Sequence, residues 1–143
     1  MRVGFTGTRE GMTDQQRATV LRLLSKELLD AEWLHHGDCI GADHQAGQIA
    51  IFCGVKQHAH PPTSDRLRAW TLADRTDKPL PYLERNRAIV DATDILIAAP
   101  RGPEEQRSGT WSTVRYARKV GKPVIIVWPD GSRTTLTVAI SCA

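Results

Sequence analysis

The alternation of short β-branched runs with longer helix-period stretches is the feature that most constrains this fold. Five such runs are candidate strands, at residues 2–6, 33–36, 55–60, 94–98 and 123–128. Helix-period stretches separate them, at residues 14–31, 42–53, 82–93 and 110–120. Strands that alternate with helical stretches of this length are typical of βαβ units and a parallel sheet. We therefore predict an α/β fold.

Two of the candidate strands lack polar alternation. Residues 95–98 are Ile-Leu-Ile-Ala and residues 124–127 are Val-Ile-Ile-Val. Such continuous apolar runs are typical of strands that are covered on both faces, so we predict a sheet between two helical layers. After the turn at Pro129-Asp130-Gly131, residues 134–140 are β-prone. They predict an antiparallel edge strand, with a packed last helix as the alternative.

Length and composition exclude several classes of protein. A chain of 143 residues with 41% apolar and 24% charged residues is typical of one globular domain, so we predict a single domain over residues 1–143. No apolar run reaches the ~18 residues of a membrane span. The three cysteines have no CxxC spacing and indicate reduced thiols in a cytoplasmic protein. The net charge of +3 is too small to indicate nucleic-acid binding by itself.

A proline-rich connection follows the third candidate strand, at residues 61–81. Its prolines stand near its two ends, at Pro61, Pro62, Pro79 and Pro81. The connection is longer than the roughly 2–6 residues that usually join a strand to a helix, and its middle holds Arg66, Arg68 and Trp70. Because it leaves the carboxyl end of a strand, we predict that it forms a lid whose three central side chains close on a ligand. The alternative is a segment that packs permanently against the domain or against a second subunit.

Three crossings from strand to helix combine glycine with Ser, Thr or Asp. They are Gly7-Thr8-Arg9, then Gly37-Asp38-Cys39-Ile40-Gly41-Ala42-Asp43, then Pro100-Arg101-Gly102 with Ser108-Gly109-Thr110. In an open parallel sheet, ligands bind beyond the carboxyl ends of the strands. A helix that starts there offers free N–H groups and a positive dipole end to a phosphate. We therefore predict a nucleotide-type ligand at this edge of the sheet.

The histidines do not form a zinc pattern along the sequence. His35, His36, Cys39 and His44 crowd one stretch, but their spacing matches no zinc motif, and strand alternation sends His35 and His36 to opposite faces. His58 and His60 share one face at the end of the third strand, and we interpret them as ligand-edge or turn residues. We predict no metal and no cofactor.

Several segments have the order and spacing of one known superfamily. They are Gly4-Phe5-Thr6-Gly7-Thr8-Arg9, residues 36–43, residues 84–90, residues 94–98, Ser108-Gly109-Thr110-Trp111, Ala117 and Gly121-Lys122-Pro123. Together they resemble the SLOG superfamily of Rossmann-like domains, which includes the DNA-processing protein DprA (Smf), the LOG phosphoribohydrolases and small YpsA-like proteins. The resemblance covers Met1 to about Gly131.

This resemblance implies a Rossmann-like three-layer sandwich with a five-stranded parallel sheet of order 3-2-1-4-5. It also implies a nucleotide-type ligand over the carboxyl edge, with Arg85 at the position of the substrate arginine of LOG enzymes and Asp43 near the ribose. DprA-like members bind single-stranded DNA and share the Arg85-Asn86-Arg87 run. Other SLOG domains sense nucleotide-derived signals such as cyclic ADP-ribose species.

One departure from the LOG motif bears on activity. LOG enzymes carry a catalytic Glu three residues after the Gly-Thr pair, and this chain has Thr113 there. A threonine cannot act as the carboxylate, so we expect no LOG-type hydrolysis. The preferred hypothesis is a sensor or a sequestering protein for a nucleotide or a nucleotide-derived small molecule. A nucleoside monophosphate N-glycosidase and a DprA-like binder of single-stranded DNA are the alternatives.

The predicted site follows from these crossings and from the resemblance. No residue is assigned a catalytic role. Backbone and hydroxyl donors to phosphate are Gly7, Thr8, Gly41, Ser108, Gly109 and Thr110; cations are Arg9, Arg85 and Arg101; Asp43 and Asn86 bind sugar or base; Gly37, Asp38, Ala42, Pro100 and Thr113 complete the set. The expected partners are the small molecule and further copies of the chain in a homo-oligomer, with no membrane and with nucleic acid as the lesser alternative.

Overall fold

A seven-stranded sheet with helices on both faces forms the domain. The computed structural model describes residues 1–137. The strands are β1 (Arg2–Gly7), β2 (Trp33–His36), β3 (Lys56–Ala59), β4 (Arg75–Thr76), β5 (Ile95–Ala99), β6 (Val124–Val127) and β7 (Arg133–Leu136). The helices are α1 (Asp14–Arg22), α2 (Ala42–Phe52), α3 (Tyr82–Asp91) and α4 (Gly109–Lys119). None of the helices within residues 1–137 has the length and apolar content of a membrane span.

The sheet has the order β4-β3-β2-β1-β5-β6-β7, and only β7 runs antiparallel to its neighbour. Its central part, β3-β2-β1-β5-β6, is the order 3-2-1-4-5 that the resemblance implied, so this fold prediction is confirmed. The added strand β7 confirms the C-terminal edge strand rather than the last helix over Arg133–Leu136; residues 138–140 of that prediction lie outside the described residues. The two-residue strand β4 was not predicted.

The two faces of the sheet have separate cores. Val3, Leu34 and Ile97 point to the face that α1 and α2 cover, in one buried apolar cluster. Leu96, Ala98 and Ile126 belong to a second cluster, with Val114 of α4. Successive strand residues alternate between the faces, so the continuous apolar runs of β5 and β6 serve both cores. The three-layer arrangement follows from this.

Helix α1 is fixed at its start by a capping box between Thr13 and Gln16. The Gln16 amide also donates to the carbonyl oxygens of Pro100 at 2.8 Å and Val127 at 3.0 Å, so it ties α1 to the ends of β5 and β6. The helix continues as a π-helical turn, Leu23–Glu27, and ends at Leu28. The predicted helix to residue 31 was therefore too long, because the Leu28 N–H bonds back to Leu23 and the chain then turns toward β2.

The long connection at residues 61–81 is pinned to the domain at several points. It contains a short 3₁₀ helix, Asp65–Leu67, and the strand β4. The N–H of Ile40 donates to the Leu67 carbonyl at 2.9 Å, and the N–H of Ala69 donates to the Asp38 carbonyl at 2.7 Å. These bonds hold the middle of the connection against the loop that follows β2.

Candidate functional site

A cleft of about 410 Å³ lies at the carboxyl ends of β1, β2 and β5, where α4 begins. Strand β1 lies between β2 and β5, so the strand order reverses there: β2, β3 and β4 lie on one side of β1, and β5, β6 and β7 lie on the other. Ligands of open α/β sheets bind at such a switch point. The position of the cleft therefore agrees with the edge that the sequence predicted for a ligand.

Most of the predicted site residues line this cleft. They are Gly7, Thr8, Arg9, Gly37, Asp43, Arg85, Asn86, Arg101, Ser108, Gly109 and Thr110. The others do not: Asp38, Gly41, Ala42, Pro100 and Thr113, and the three lid residues Arg66, Arg68 and Trp70. The cleft thus brings together residues from all three predicted crossings.

The start of α4 has free backbone donors and lines the cleft. Ser108 caps the helix: its hydroxyl accepts from the Trp111 N–H at 3.3 Å and its carbonyl accepts from the Ser112 N–H at 2.9 Å. The backbone N–H groups of Gly109 and Thr110 have no acceptor among residues 1–137. A Cβ built on Gly109 would meet no atom within 4 Å. Two free donors and the positive end of the helix dipole can therefore bind a phosphate there.

One backbone donor at each of the other two crossings is already used by the protein. The Thr8 N–H donates to the Ala99 carbonyl at 3.1 Å, and the Ala42 N–H at the start of α2 donates to the Thr8 carbonyl at 3.0 Å. Helix α1 begins only at Asp14, away from the cleft lining. Gly41 has φ of +89°, and a Cβ on it would lie 2.4 Å from the Arg9 carbonyl oxygen. Gly41 therefore permits a close approach to the Arg9 backbone, and it does not line the cleft.

Arg85 is a buried cation that also supports the walls of the cleft. Its Nη1 donates to the carbonyls of Gly37 and His60, and its Nε donates to the Asn86 side-chain oxygen at 2.8 Å. A Cβ on Gly37 would lie 2.5 Å from that Nη1, so only glycine allows this approach. The Asn86 amide oxygen is therefore occupied, and its NH₂ group is the part that can donate to a ligand.

The exposed arginines of the cleft differ in their partners. Arg101 is held between two carboxylates, with Nη1 2.8 Å from Glu10 Oε1 and Nη2 2.9 Å from Glu105 Oε1. The hydrogen bonds that Arg101 donates to Glu105 and Glu10 raise its pKa. By contrast, no carboxylate within residues 1–137 pairs with Arg9 or Arg107. These two guanidinium groups remain available to an anionic ligand.

Asp43 and Cys39 form a buried polar corner of the cleft. The Cys39 N–H donates to Asp43 Oδ2 at 3.2 Å. Burial raises the pKa of the Asp43 carboxyl, against the opposing effect of His36 and Arg85. Burial also raises the pKa of the Cys39 thiol, and the Asp43 carboxylate adds to this, although both Nη atoms of Arg85 lie 3.7 Å from its Sγ.

The remaining predicted residues have structural contacts. The Thr113 hydroxyl donates to the Gly109 carbonyl at 2.9 Å inside α4. The Pro100 carbonyl accepts from Gln16. The Asp38 carboxylate accepts from the Arg68 Nε at 3.0 Å and from the Thr71 N–H at 2.9 Å. Arg68 in turn stacks on Trp70, with its Cζ 3.8 Å from the ring centroid. The structure therefore places Asp38, Arg68 and Trp70 together, beside the cleft and not in its lining.

Several residues of the cleft were not predicted as site residues: Phe5, Thr6, Glu10, Cys39, Tyr82, Ile89, Glu105, Arg107 and Trp111. Helical spacing could have indicated Tyr82, since it stands three residues before Arg85 on α3; the Arg85 Cζ lies 5.3 Å from its ring centroid. Trp111 lines the cleft and packs against Trp128, at 5.8 Å between ring centroids. No local signal separates Arg107 from the other arginines.

Comparisons with known proteins support this architecture. No protein-family model and no curated protein matches the sequence. Among solved structures, the molybdenum cofactor binding protein of the phototrophic bacterium Rippkaea orientalis is 25% identical, with a TM-score of 0.70 over 89% of this chain and 76% of that one. The molybdenum cofactor carrier protein of Chlamydomonas reinhardtii is 22% identical, with a TM-score of 0.64 over 87% and 74%.

A DNA-processing protein has the same fold. DprA of Helicobacter pylori, which binds single-stranded DNA, is 20% identical, with a TM-score of 0.63 over 88% of this chain and 64% of that one. The chain has the fold of the SLOG superfamily. This confirms the resemblance that the sequence motifs indicated. Proteins with the SLOG fold that match here are named for binding a small molecule or single-stranded DNA.

Proposed function

We propose that this SLOG-type domain binds a phosphate-bearing small molecule, a nucleotide or a nucleotide-derived compound, and that it acts as a sensor or a sequestering protein. The observation that supports this most is the open start of α4, where Gly109 and Thr110 have free N–H groups and line the same cleft as Arg9 and Arg107. Free N–H groups at a helix start together with unpaired guanidinium groups are suited to a phosphate.

The size of the cleft favours a small molecule over a polymer. Its volume of about 410 Å³ falls in the range of roughly 300–1,000 Å³ that is typical of ligand pockets. The start of α4 lines this cleft together with Asp43, Arg85 and Asn86. This lining combines donors for a phosphate with groups that can hydrogen-bond to a sugar or a base.

The names of the structural neighbours indicate two other candidate ligands. The molybdenum cofactor is one, because two of the neighbours are named for binding it. Single-stranded DNA is the other, from the likeness to DprA. The carboxylates Glu10 and Glu105 at the rim hold Arg101 and weaken the positive field that a DNA backbone requires.

Mass spectrometry of small molecules released from the purified, denatured protein tests the proposal directly. Calorimetric titration then compares nucleoside mono- and diphosphates with the same nucleosides lacking phosphate, with the molybdenum cofactor, and with a single-stranded oligonucleotide at two salt concentrations. Native mass spectrometry of the same preparation reports the predicted homo-oligomer.

The expected result is saturable binding of a phosphorylated compound at one site per chain, with no binding of the matched nucleoside. Binding of the oligonucleotide with a steep salt dependence and no binding of any small phosphate compound would replace the proposal with a DprA-like function. Binding of nucleoside and nucleotide with equal affinity would show that the start of α4 is not the phosphate site.

A further inference from the structure

A cluster of three imidazoles lies outside the cleft lining. His35 of β2 and His58 of β3 are paired in the parallel ladder, so their side chains project side by side from one face of the sheet. His60 follows two residues after His58 and returns to the same face. The rings are close: their centroids are 4.4 Å apart for His35 and His58, and 4.6 Å apart for His58 and His60.

The nitrogen atoms of the cluster converge. His35 Nδ1 lies 2.8 Å from His60 Nε2. One ring nitrogen from each of the three histidines lies within 4.8 Å of the other two. In a tetrahedral zinc site, Zn–N bonds of about 2.0–2.1 Å place the ligand nitrogens about 3.3 Å apart. Side-chain shifts of about 1 Å would therefore bring all three nitrogens to bonding distance of one ion.

Asp77 supplies the carboxylate that histidine metal sites usually have behind their ligands. Its Oδ1 lies 2.8 Å from His58 Nε2, and its Oδ2 lies 3.4 Å from His60 Nδ1. A carboxylate that accepts a hydrogen bond from one ring nitrogen fixes the tautomer of the imidazole. The other ring nitrogen then carries the lone pair that can bind a metal. For His60, that other nitrogen is the Nε2 that faces His35.

We propose that His35, His58 and His60 bind a first-row divalent transition-metal ion of the Zn²⁺ class, with Asp77 as the positioning carboxylate. Three imidazoles with an orienting acid favour Zn²⁺ or Co²⁺ over the oxygen-seeking Mg²⁺ and Ca²⁺. Three protein ligands also leave a fourth position, which water or an exchangeable ligand can occupy.

Solvent access is compatible with this site. The cluster is not sealed, because the side chains of His58 and Asp77 are 12% and 41% exposed. Of the atoms of His60, the Arg85 guanidinium of the cleft hydrogen-bonds only to the backbone carbonyl, so the metal site does not require a ligand in the cleft.

Cobalt titration of chelator-treated full-length protein tests the proposal. Co²⁺ reports coordination through its visible absorption, and displacement by Zn²⁺ gives the zinc affinity. The variants are His58→Gln, which removes the most exposed ligand, and Asp77→Asn, which removes the positioning acid. The matched control is His44→Gln, since His44 lies on α2 outside the cluster.

We expect one Co²⁺ per chain with the intense absorption of a four-coordinate ion. The affinity should fall at least tenfold in His58→Gln, about tenfold in Asp77→Asn, and not at all in His44→Gln. Equal affinity for the wild type and His58→Gln, or an equal loss in His44→Gln, would overturn the proposal.

A second measurement needs no variant, in case a substitution prevents folding. Zn²⁺ added to the wild type labelled with ¹⁵N-histidine should shift the ring nitrogen resonances of three histidines at one equivalent. An unchanged spectrum, or shifts that spread over all five histidines, would show that no such site exists.

Discussion

Asp38 and Arg68 form an ion pair that is almost wholly removed from water. The Arg68 Nε donates to Asp38 Oδ2 at 3.0 Å, and the two side chains are 13% and 1% exposed. The other carboxylate oxygen of Asp38 accepts from the Thr71 N–H at 2.9 Å, and the Asp38 carbonyl accepts from Ala69. Asp38, two residues after the end of β2, therefore fixes the middle of the long connection.

The first prediction is that Arg68→Ala destabilises the protein. Loss of the guanidinium leaves the Asp38 carboxylate buried without its cation, a change that costs about 3–5 kcal/mol. For a domain of this size we expect the melting temperature to fall by about 10–17 °C, with little change in ligand affinity per folded molecule. Differential scanning calorimetry measures the first quantity and ligand titration the second.

Arg66→Ala is the matched control, since Arg66 is exposed and has no acidic partner within residues 1–137. Its melting temperature should match that of the wild type. If Arg68→Ala instead weakens ligand binding tenfold and leaves stability unchanged, the connection is a movable lid, as the sequence pattern suggested.

The second prediction concerns the glycine at the start of α4. Gly109→Val should reduce affinity for a phosphorylated ligand by at least about a hundredfold, because the side chain would take the space beside two N–H donors whose charge-assisted bonds are worth ~1.5–3 kcal/mol each. Gly102→Val is the control: a Cβ there also meets open space, but Gly102 does not line the cleft. Titration of both variants with the same ligand decides the matter. Equal affinities would place the phosphate elsewhere.

The third prediction uses two neighbouring glutamates. Glu105→Gln removes a carboxylate from the cleft and weakens the hold on Arg101, so phosphate affinity should rise about two- to fivefold, as typical of one exposed ion pair. Glu104→Gln should leave it unchanged, because Glu104 pairs with Arg115 and does not line the cleft. Isothermal titration at low salt measures the difference. A loss of affinity in Glu105→Gln would mean that Glu105 itself binds the ligand.

The fourth prediction is that the protein releases no free base from AMP or CMP. The LOG motif position holds Thr113, whose hydroxyl is bonded to the Gly109 carbonyl within the helix. Chromatography of long incubations with each nucleotide is the assay. Turnover that disappears in Asp43→Asn would show that the buried carboxyl of the cleft performs the reaction.

The strands could be predicted because they depend on local apolar content, whereas their order followed only from the resemblance to the SLOG superfamily. Residues 95–98 and 124–127 are apolar on both faces, and the structure covers both faces. Strand β4 has no such signal, since Arg75 and Thr76 are both exposed and pair with β3 only through the backbone. The π-helical turn at the end of α1 likewise has no periodic signature.

Contacts between distant polar residues could not be predicted in the same way. The sequence marked Asp38 as a ligand contact and Arg68 as a lid residue, but spacing cannot show which acid a given arginine meets after folding. His35 and His58 illustrate the same limit. Only the register of β2 against β3 places them side by side, and that register depends on packing across the whole sheet.

The fifth prediction is that Cys39 reports occupancy of the cleft. It is 7% exposed and lines the cleft, whereas Cys53 is only partly buried and lies outside it. Burial raises the pKa of the Cys39 thiol, and only the thiolate is nucleophilic. Alkylation of Cys39 should therefore be slow at pH 7–8 and accelerate as the pH rises above the ordinary thiol pKa of roughly 8.5. Peptide mass mapping after timed iodoacetamide treatment measures each cysteine separately.

Ligand binding should slow the alkylation of Cys39 and leave that of Cys53 unchanged, because a molecule in the cleft covers the first sulfur and not the second. Brief treatment in denaturant is the reference, since unfolding removes the burial and should make both thiols react at similar rates. Equal protection of both cysteines would indicate a general gain in stability on binding. Unprotected Cys39 in the presence of saturating ligand would place the ligand outside the cleft.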